Sequence, residues 1–112
     1  MIHSTALGKA IAAHLPEEEV RSLLQRTGLP RRTANTITRA ADFIKHLELV
    51  RRHGFAIDDQ ENDVEGRCVA VIVPARRVQY AVSVSGITSR FPMSKTSEAA
   101  RAMREIISEF TE

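Results

Sequence analysis

An α+β fold, a small antiparallel sheet packed by helices, is predicted for this chain by three observations. Apolar residues recur at helical spacing through the first half of the sequence and again at its end. Between those regions the period changes to that of strands, and the connection Pro74-Ala75-Arg76-Arg77 is short enough for a hairpin. Helices, then an antiparallel meander, then a packing helix make an α+β domain.

Ser4 or Thr5 can cap a first short helix in which Leu7, Ala10, Ile11 and His14 repeat at three- and four-residue spacing. Pro16 suits a helix start, and Glu17, Glu18 and Glu19 place carboxylates in the first turn, where they complement the positive end of the helix. This second helix is expected to bury Val20, Leu23 and Leu24 and to stop at Gly28, before Leu29-Pro30. After a polar loop to about Thr38, Ala40, Phe43, Ile44, Leu47 and Val50 define a third helix ending at Gly54.

Phe55-Ala56-Ile57 reads as a short strand, and Cys68 to Val73 as a β-branched one stopped by Pro74. From Val78 to Ser85 the residues alternate, with Tyr80, Val82 and Val84 on one face and Ala81, Ser83 and Ser85 on the other. A last helix, capped by Ser94 or Ser97, carries Ala99, Met103, Ile106, Ile107 and Phe110 on one stripe. Three strands leave exposed edges and a face in need of cover.

A length of 112 residues suits one domain, 1–112. With 43% hydrophobic and 27% charged residues the composition is that of a globular chain and excludes a disordered one. A net charge of +2 does not imply nucleic-acid binding, and Arg31-Arg32, Arg51-Arg52 and Arg76-Arg77 read as isolated, solvated pairs. The single cysteine, Cys68, excludes an internal disulfide and a cysteine-based zinc cage. Without a secretory signal or a long apolar run, a cytoplasmic protein without membrane contact is expected.

The groups able to carry chemistry lie on the strands. Parity puts Ala81, Ser83 and Ser85 on one face and gives Cys68 and Ala70 a shared face on the neighbouring strand. If these faces coincide, small side chains line a hollow and supply weak donors and acceptors; otherwise the serines face water. Asp58 and Asp59 point in opposite directions, so one faces the hollow and the other solvent, or the pair caps a turn. Cys68 is either part of that lining or a small buried hydrophobe. The start of the first helix, Thr5 to Lys9, offers backbone N–H groups to an anion, with Gly8 permitting close approach and Lys9 either adding charge or solvated.

His3, His14, His46 and His53 form no metal motif, and no Gly-x-Ser-x-Gly surrounds a serine, so neither a cofactor nor catalysis is indicated. An enzyme with Cys68 as nucleophile stands as the third reading.

Six stretches occur in order: His3-Ser4-Thr5-Ala6-Leu7-Gly8-Lys9-Ala10, Leu15-Pro16-Glu17-Glu18-Glu19, Pro30 to Thr38, Gly54 to Glu61, Gly66-Arg67-Cys68-Val69-Ala70 and Ser83-Val84-Ser85-Gly86. Together they resemble the C-terminal effector-binding domain of IclR-family bacterial transcription regulators, over nearly the whole chain. The resemblance implies a profilin-like or GAF-like fold and a pocket for small organic effectors, commonly carboxylates. It implies a site in which the backbone at Ala6, Leu7 and Gly8 meets the effector's carboxylate and Asp58, Cys68, Ser83 and Ser85 complete the polar contacts.

Such regulators carry a winged helix-turn-helix and an earlier part of the effector domain, both expected to be missing here, as in a C-terminal fragment or truncated homologue. The expected function is a non-catalytic sensor whose effector shifts the arrangement of a dimer or tetramer, with DNA reached only through the absent winged helix-turn-helix. The rival is an oligomerisation module without a ligand response.

Overall fold

The computed structural model describes residues 2–73 and 80–110. The expected hairpin turn Pro74-Ala75-Arg76-Arg77 and Val78 lie outside them, as do the side chains of Tyr80 and Phe110. The elements run α1 (Ala6–Ala12), α2 (Glu17–Thr27), α3 (Ala40–His53), β1 (Ala56–Asp59), β2 (Gly66–Val73), β3 (Tyr80–Ile87), a 3₁₀ turn Met93–Lys95 and α4 (Thr96–Phe110). The α+β class expected from the sequence is the one observed.

Thr5 caps α1, its hydroxyl accepting from the Gly8 N–H at 3.1 Å. Pro16 and the three glutamates open α2, and α3 closes on Gly54, whose φ of 83° and ψ of 10° are left-handed. Val20, Leu24, Phe43, Leu47 and Val50 are buried between these helices, each contributing roughly 1.5–3 kcal/mol by leaving water.

The strands form one antiparallel sheet in the order β1-β2-β3. Asp58 pairs with Cys68 and Cys68 with Ser85, while Ala56 pairs with Ala70 and Ala70 with Ser83. These residues share the face toward α1, so the strand faces whose coincidence parity left open do coincide. On the other face Ile57, Val69 and Val71 pack with Ala99, Ala100, Met103 and Ile107 of α4. Gly86 fits here because a Cβ would lie 2.8 Å from Phe91 Cβ.

Two helix faces differ from expectation. In α1 the buried residues are Ala6, Lys9, Ala10 and Ala12, whereas Leu7 is 40% exposed and His14 is exposed. Small residues win the inner face because they let the helix axis approach the sheet closely. In α4 Ala100 takes the most buried position while Ile106 is 57% exposed, since the helix lies chiefly over β2 and Ile106 overhangs. Neither Ser94 nor Ser97 caps α4; the 3₁₀ turn leads into it, and Thr96 Oγ1 donates to the Met93 carbonyl at 2.7 Å. Among the described residues no helix is long and apolar enough to cross a membrane.

Candidate functional site

A cavity of about 270 Å³ opens where α1 begins and the sheet's inner face loses bulk, lined by Thr5, Ala6, Leu7, Asp58, Asn62, Cys68, Ser83 and Ser85. Local sequence explains the space. The paired positions on three neighbouring strands carry Asp, Cys and Ser where the α4 face carries valines, so the inner face is not filled.

Six of the seven residues expected at a ligand site meet here: Ala6, Leu7, Asp58, Cys68, Ser83 and Ser85. Gly8 does not line the cavity, and the Thr5 hydroxyl takes up its N–H. Ala6 and Leu7, as the first two residues of the helix, have no intrahelical acceptor for theirs. Ser85 Oγ donates to Cys68 Sγ at 3.1 Å, so the thiol belongs to the polar wall.

Asp58 does both things the sequence left open. Its Oδ1 accepts from the N–H groups of Glu61 at 2.9 Å and Asn62 at 3.3 Å, capping the turn, while the residue also lines the cavity. Burial raises its pKa above the usual carboxylate value, against the lowering effect of those two hydrogen bonds and of Lys9. Asp59 faces the other way and forms an ion pair with Arg67 at 2.8 Å.

The turn between β1 and β2 is held from several sides. Gln60 is left-handed at φ 58°, a conformation costly for a residue with a side chain. The Thr33 hydroxyl donates to the Gln60 carbonyl and Thr36 Oγ1 to the Glu61 carbonyl at 2.6 Å. Ser4 Oγ donates to Asn62 Oδ1 at 3.0 Å. The polar loop between α2 and α3 therefore works as a clamp on the turn beside the cavity.

Sequence reasoning did not find the buried ion pair next to the site. Lys9 is fully buried, and its Nζ donates to Glu61 Oε1 at 2.6 Å, Oε2 at 2.8 Å and the Ile57 carbonyl at 2.8 Å. Burial lowers the Lys9 pKa and raises that of Glu61, each partly offset by the attraction of the other. One signal existed: Lys9 sits between Ala6 and Ala10 on the small-residue face of α1. Thr5 and Asn62 were also missed as lining residues, although both flank residues that were singled out.

A larger hollow, about 470 Å³, lies between the α1–α2 turn and α3. Its lining is mostly Ala13, Leu15, Val20, Ile44 and Leu47, and Arg51 there donates to the Ala13 carbonyl at 2.9 Å. His14, Glu17 and Arg51 also border it, but none of the residues expected at a ligand site does.

Comparison with known proteins supplies the family. The profile of the bacterial transcriptional regulator IclR C-terminal family matches residues 1–110. The HTH-type transcriptional regulator KdgR of Dickeya chrysanthemi is 35% identical over 97 residues, covering 87% of this chain and 31% of KdgR. The HTH-type transcriptional repressor AllR of Escherichia coli K12 is 34% identical over 91 residues, covering 80% of this chain and 34% of AllR. The chain thus spans about a third of the length of these curated relatives.

Among solved structures, the C-terminal domain of E. coli KdgR superposes with a TM-score of 0.87 at 28% identity, covering 98% of this chain and 68% of that one. Thermotoga maritima IclR gives 0.82 at 32% identity, covering 96% and 44%. The inducer-binding domain of the Acinetobacter transcription factor PobR, solved with 3-hydroxybenzoic acid, gives 0.89 at 23% identity, covering 99% and 65%, and speaks to the fold alone. On the family match and these relatives, the chain belongs to the IclR C-terminal family of bacterial transcriptional regulator domains.

Proposed function

We propose that the cavity between α1 and the sheet is the effector site of a non-catalytic sensor domain, taking a small organic acid that also carries a hydroxyl. The observation that carries this reading is the convergence of the α1 start with Asp58, Asn62, Cys68, Ser83 and Ser85 around one hollow. Among the described residues no cationic side chain lines that hollow, so the N–H groups of Ala6 and Leu7 at the helix start would receive the ligand's carboxylate. Asp58 would accept from the ligand's hydroxyl, and Ser83 and Ser85 would donate or accept beside it.

In a cytoplasmic regulator that includes a winged helix-turn-helix, the effector would act by preferring one arrangement of a dimer or tetramer, which shifts DNA affinity. Calorimetric titration with small 2-oxo and hydroxy acids tests the site. Asp58→Ala or Ser83→Ala is expected to weaken binding by about tenfold, the loss of one hydrogen bond to a ligand. Tight binding that survives both substitutions would sink it.

One observation favours an oligomerisation module instead. Val82 and Val84 on the α4 face are 39% and 41% exposed beside the β3 edge, a position suited to another chain. Light scattering with and without the acids separates the readings: an oligomer indifferent to every acid supports the module.

A further inference from the structure

The ion pair of Lys9 and Glu61 is buried beside the cavity yet neither residue lines it. We propose that this pair is the positioning element of the effector site, locking α1 to the turn between β1 and β2 and so fixing the separation of the cavity's two walls. The inference rests on reading that cavity as the ligand site.

Lys9 sits two residues after Leu7 on the short helix that supplies one wall. Its ammonium has three donors, and three acceptors meet them at 2.6–2.8 Å, two on Glu61 and one on Ile57. Glu61 then works at both ends. Its carboxylate holds Lys9 and also accepts from the Asp59 N–H at 3.2 Å, while its own N–H donates to Asp58 Oδ1 at 2.9 Å and orients the carboxylate that faces the hollow. One residue thus couples the height of α1 to the aim of Asp58.

Two alternative explanations of the pair fail on physical grounds. Lys9 and Glu61 cancel in charge, so the pair adds no net attraction for an anion. Nor does stability account for it, because well-packed apolar residues in place of a buried ion pair are often as stable. What an apolar contact does not supply is direction: it tolerates sliding, whereas three short hydrogen bonds do not. A seven-residue helix, too short to hold its own shape, needs such a fix.

Cys68, the chain's single cysteine, lines the cavity and reports its opening without any ligand. Alkylation of Cys68 by iodoacetamide is compared between the unmodified chain and the double variant Lys9→Met/Glu61→Leu, with amide exchange at Val69 and Val71 followed in parallel. A cooperatively melting double variant is expected to react about tenfold faster, equivalent to 1.4 kcal/mol in the opening equilibrium, while the Val69 and Val71 amides exchange as before.

An unchanged alkylation rate, or a rise matched by those β2 amides, would overturn the proposal, the second by revealing global loosening. Should the double variant not melt cooperatively, Glu61→Gln, which keeps an oxygen for Nζ, takes its place under the same criteria. Any acid bound in the calorimetric titration is expected to lose about tenfold in affinity to the variant. If no acid binds the unmodified chain, the effector reading falls while the alkylation rates still decide the role of the pair.

Discussion

Toward α4 the sheet presents Ile57, Val69 and Val71 to Ala100 and Met103; toward α1 the same strands present Asp58, Cys68, Ser83 and Ser85 to the start of a short helix. The first face is aliphatic, close-packed beneath α4 and open at Val82 and Val84. The second keeps a hollow of about 270 Å³ with a buried ion pair at its side. Because side chains alternate along a strand, one backbone can assign stability to one face and recognition to the other, and substitutions two residues apart are felt on the same side. The ledger of each face is separately measurable.

The largest effect is expected where the inner face holds its charges. Lys9→Met leaves Glu61 buried without its cation and should lower unfolding free energy by about 3–5 kcal/mol in denaturant titration. A loss below about 1 kcal/mol would mean that water reaches Glu61 and that the inner face is wetter than drawn.

Acid should act close to the same ion pair. His46 on α3 has a buried Nε2 with no partner among the described residues, and burial, helped by repulsion from Lys9, lowers its pKa from 6.5 to about 4. A folded-state pKa below the unfolded one gives stability that is complete above pH 6.5 and is lost as pH falls through about 4. The loss should approach roughly 2–3 kcal/mol. Asp58 and Glu61, whose pKa values burial raises, act in the opposite sense on acidification, so the His46 contribution is read from the difference between the unmodified chain and His46→Gln. Parallel stability curves between pH 7 and pH 4 would remove it.

On the outer face Val71→Ala should cost about 2 kcal/mol through lost burial and a small cavity, with no change in Cys68 alkylation. The smallest expected effect is that of Ser83→Ala, within about 0.5 kcal/mol by thermal or denaturant unfolding, although it borders the proposed site. A large stability loss there would show the inner face to be core, and would erase the contrast between the two faces.

Much of this was legible in the sequence. The helical repeats through Val20 and Leu24, and through Phe43, Leu47 and Val50, marked α2 and α3, and Gly28 and Gly54 marked their ends. Strand parity put Ser83 and Ser85 on one face, gave Cys68 and Ala70 a shared one and sent Asp58 and Asp59 apart, while the strand register decided that the faces of Cys68 and the serines coincide. The α1 and α4 readings were less accurate. An apolar stripe says that a helix can bury one side, but Leu7 and Ile106 lost that side to Ala6 and Ala100, because closeness to the sheet selects by size as well as polarity.

Period and handedness are properties of the local backbone, so the sequence by itself determined which segments are helices, which are strands and which residues share a strand face. The partner of Lys9 is another matter. Glu61 lies 52 positions away, and nothing local distinguishes it from the other acids of its segment. Only the tertiary path, which brings α1 down onto the β1–β2 turn, decided that this lysine would be buried and that its neighbours would wall a cavity. A charge survives burial when a partner is delivered at hydrogen-bond distance, and that delivery is a property of the whole fold.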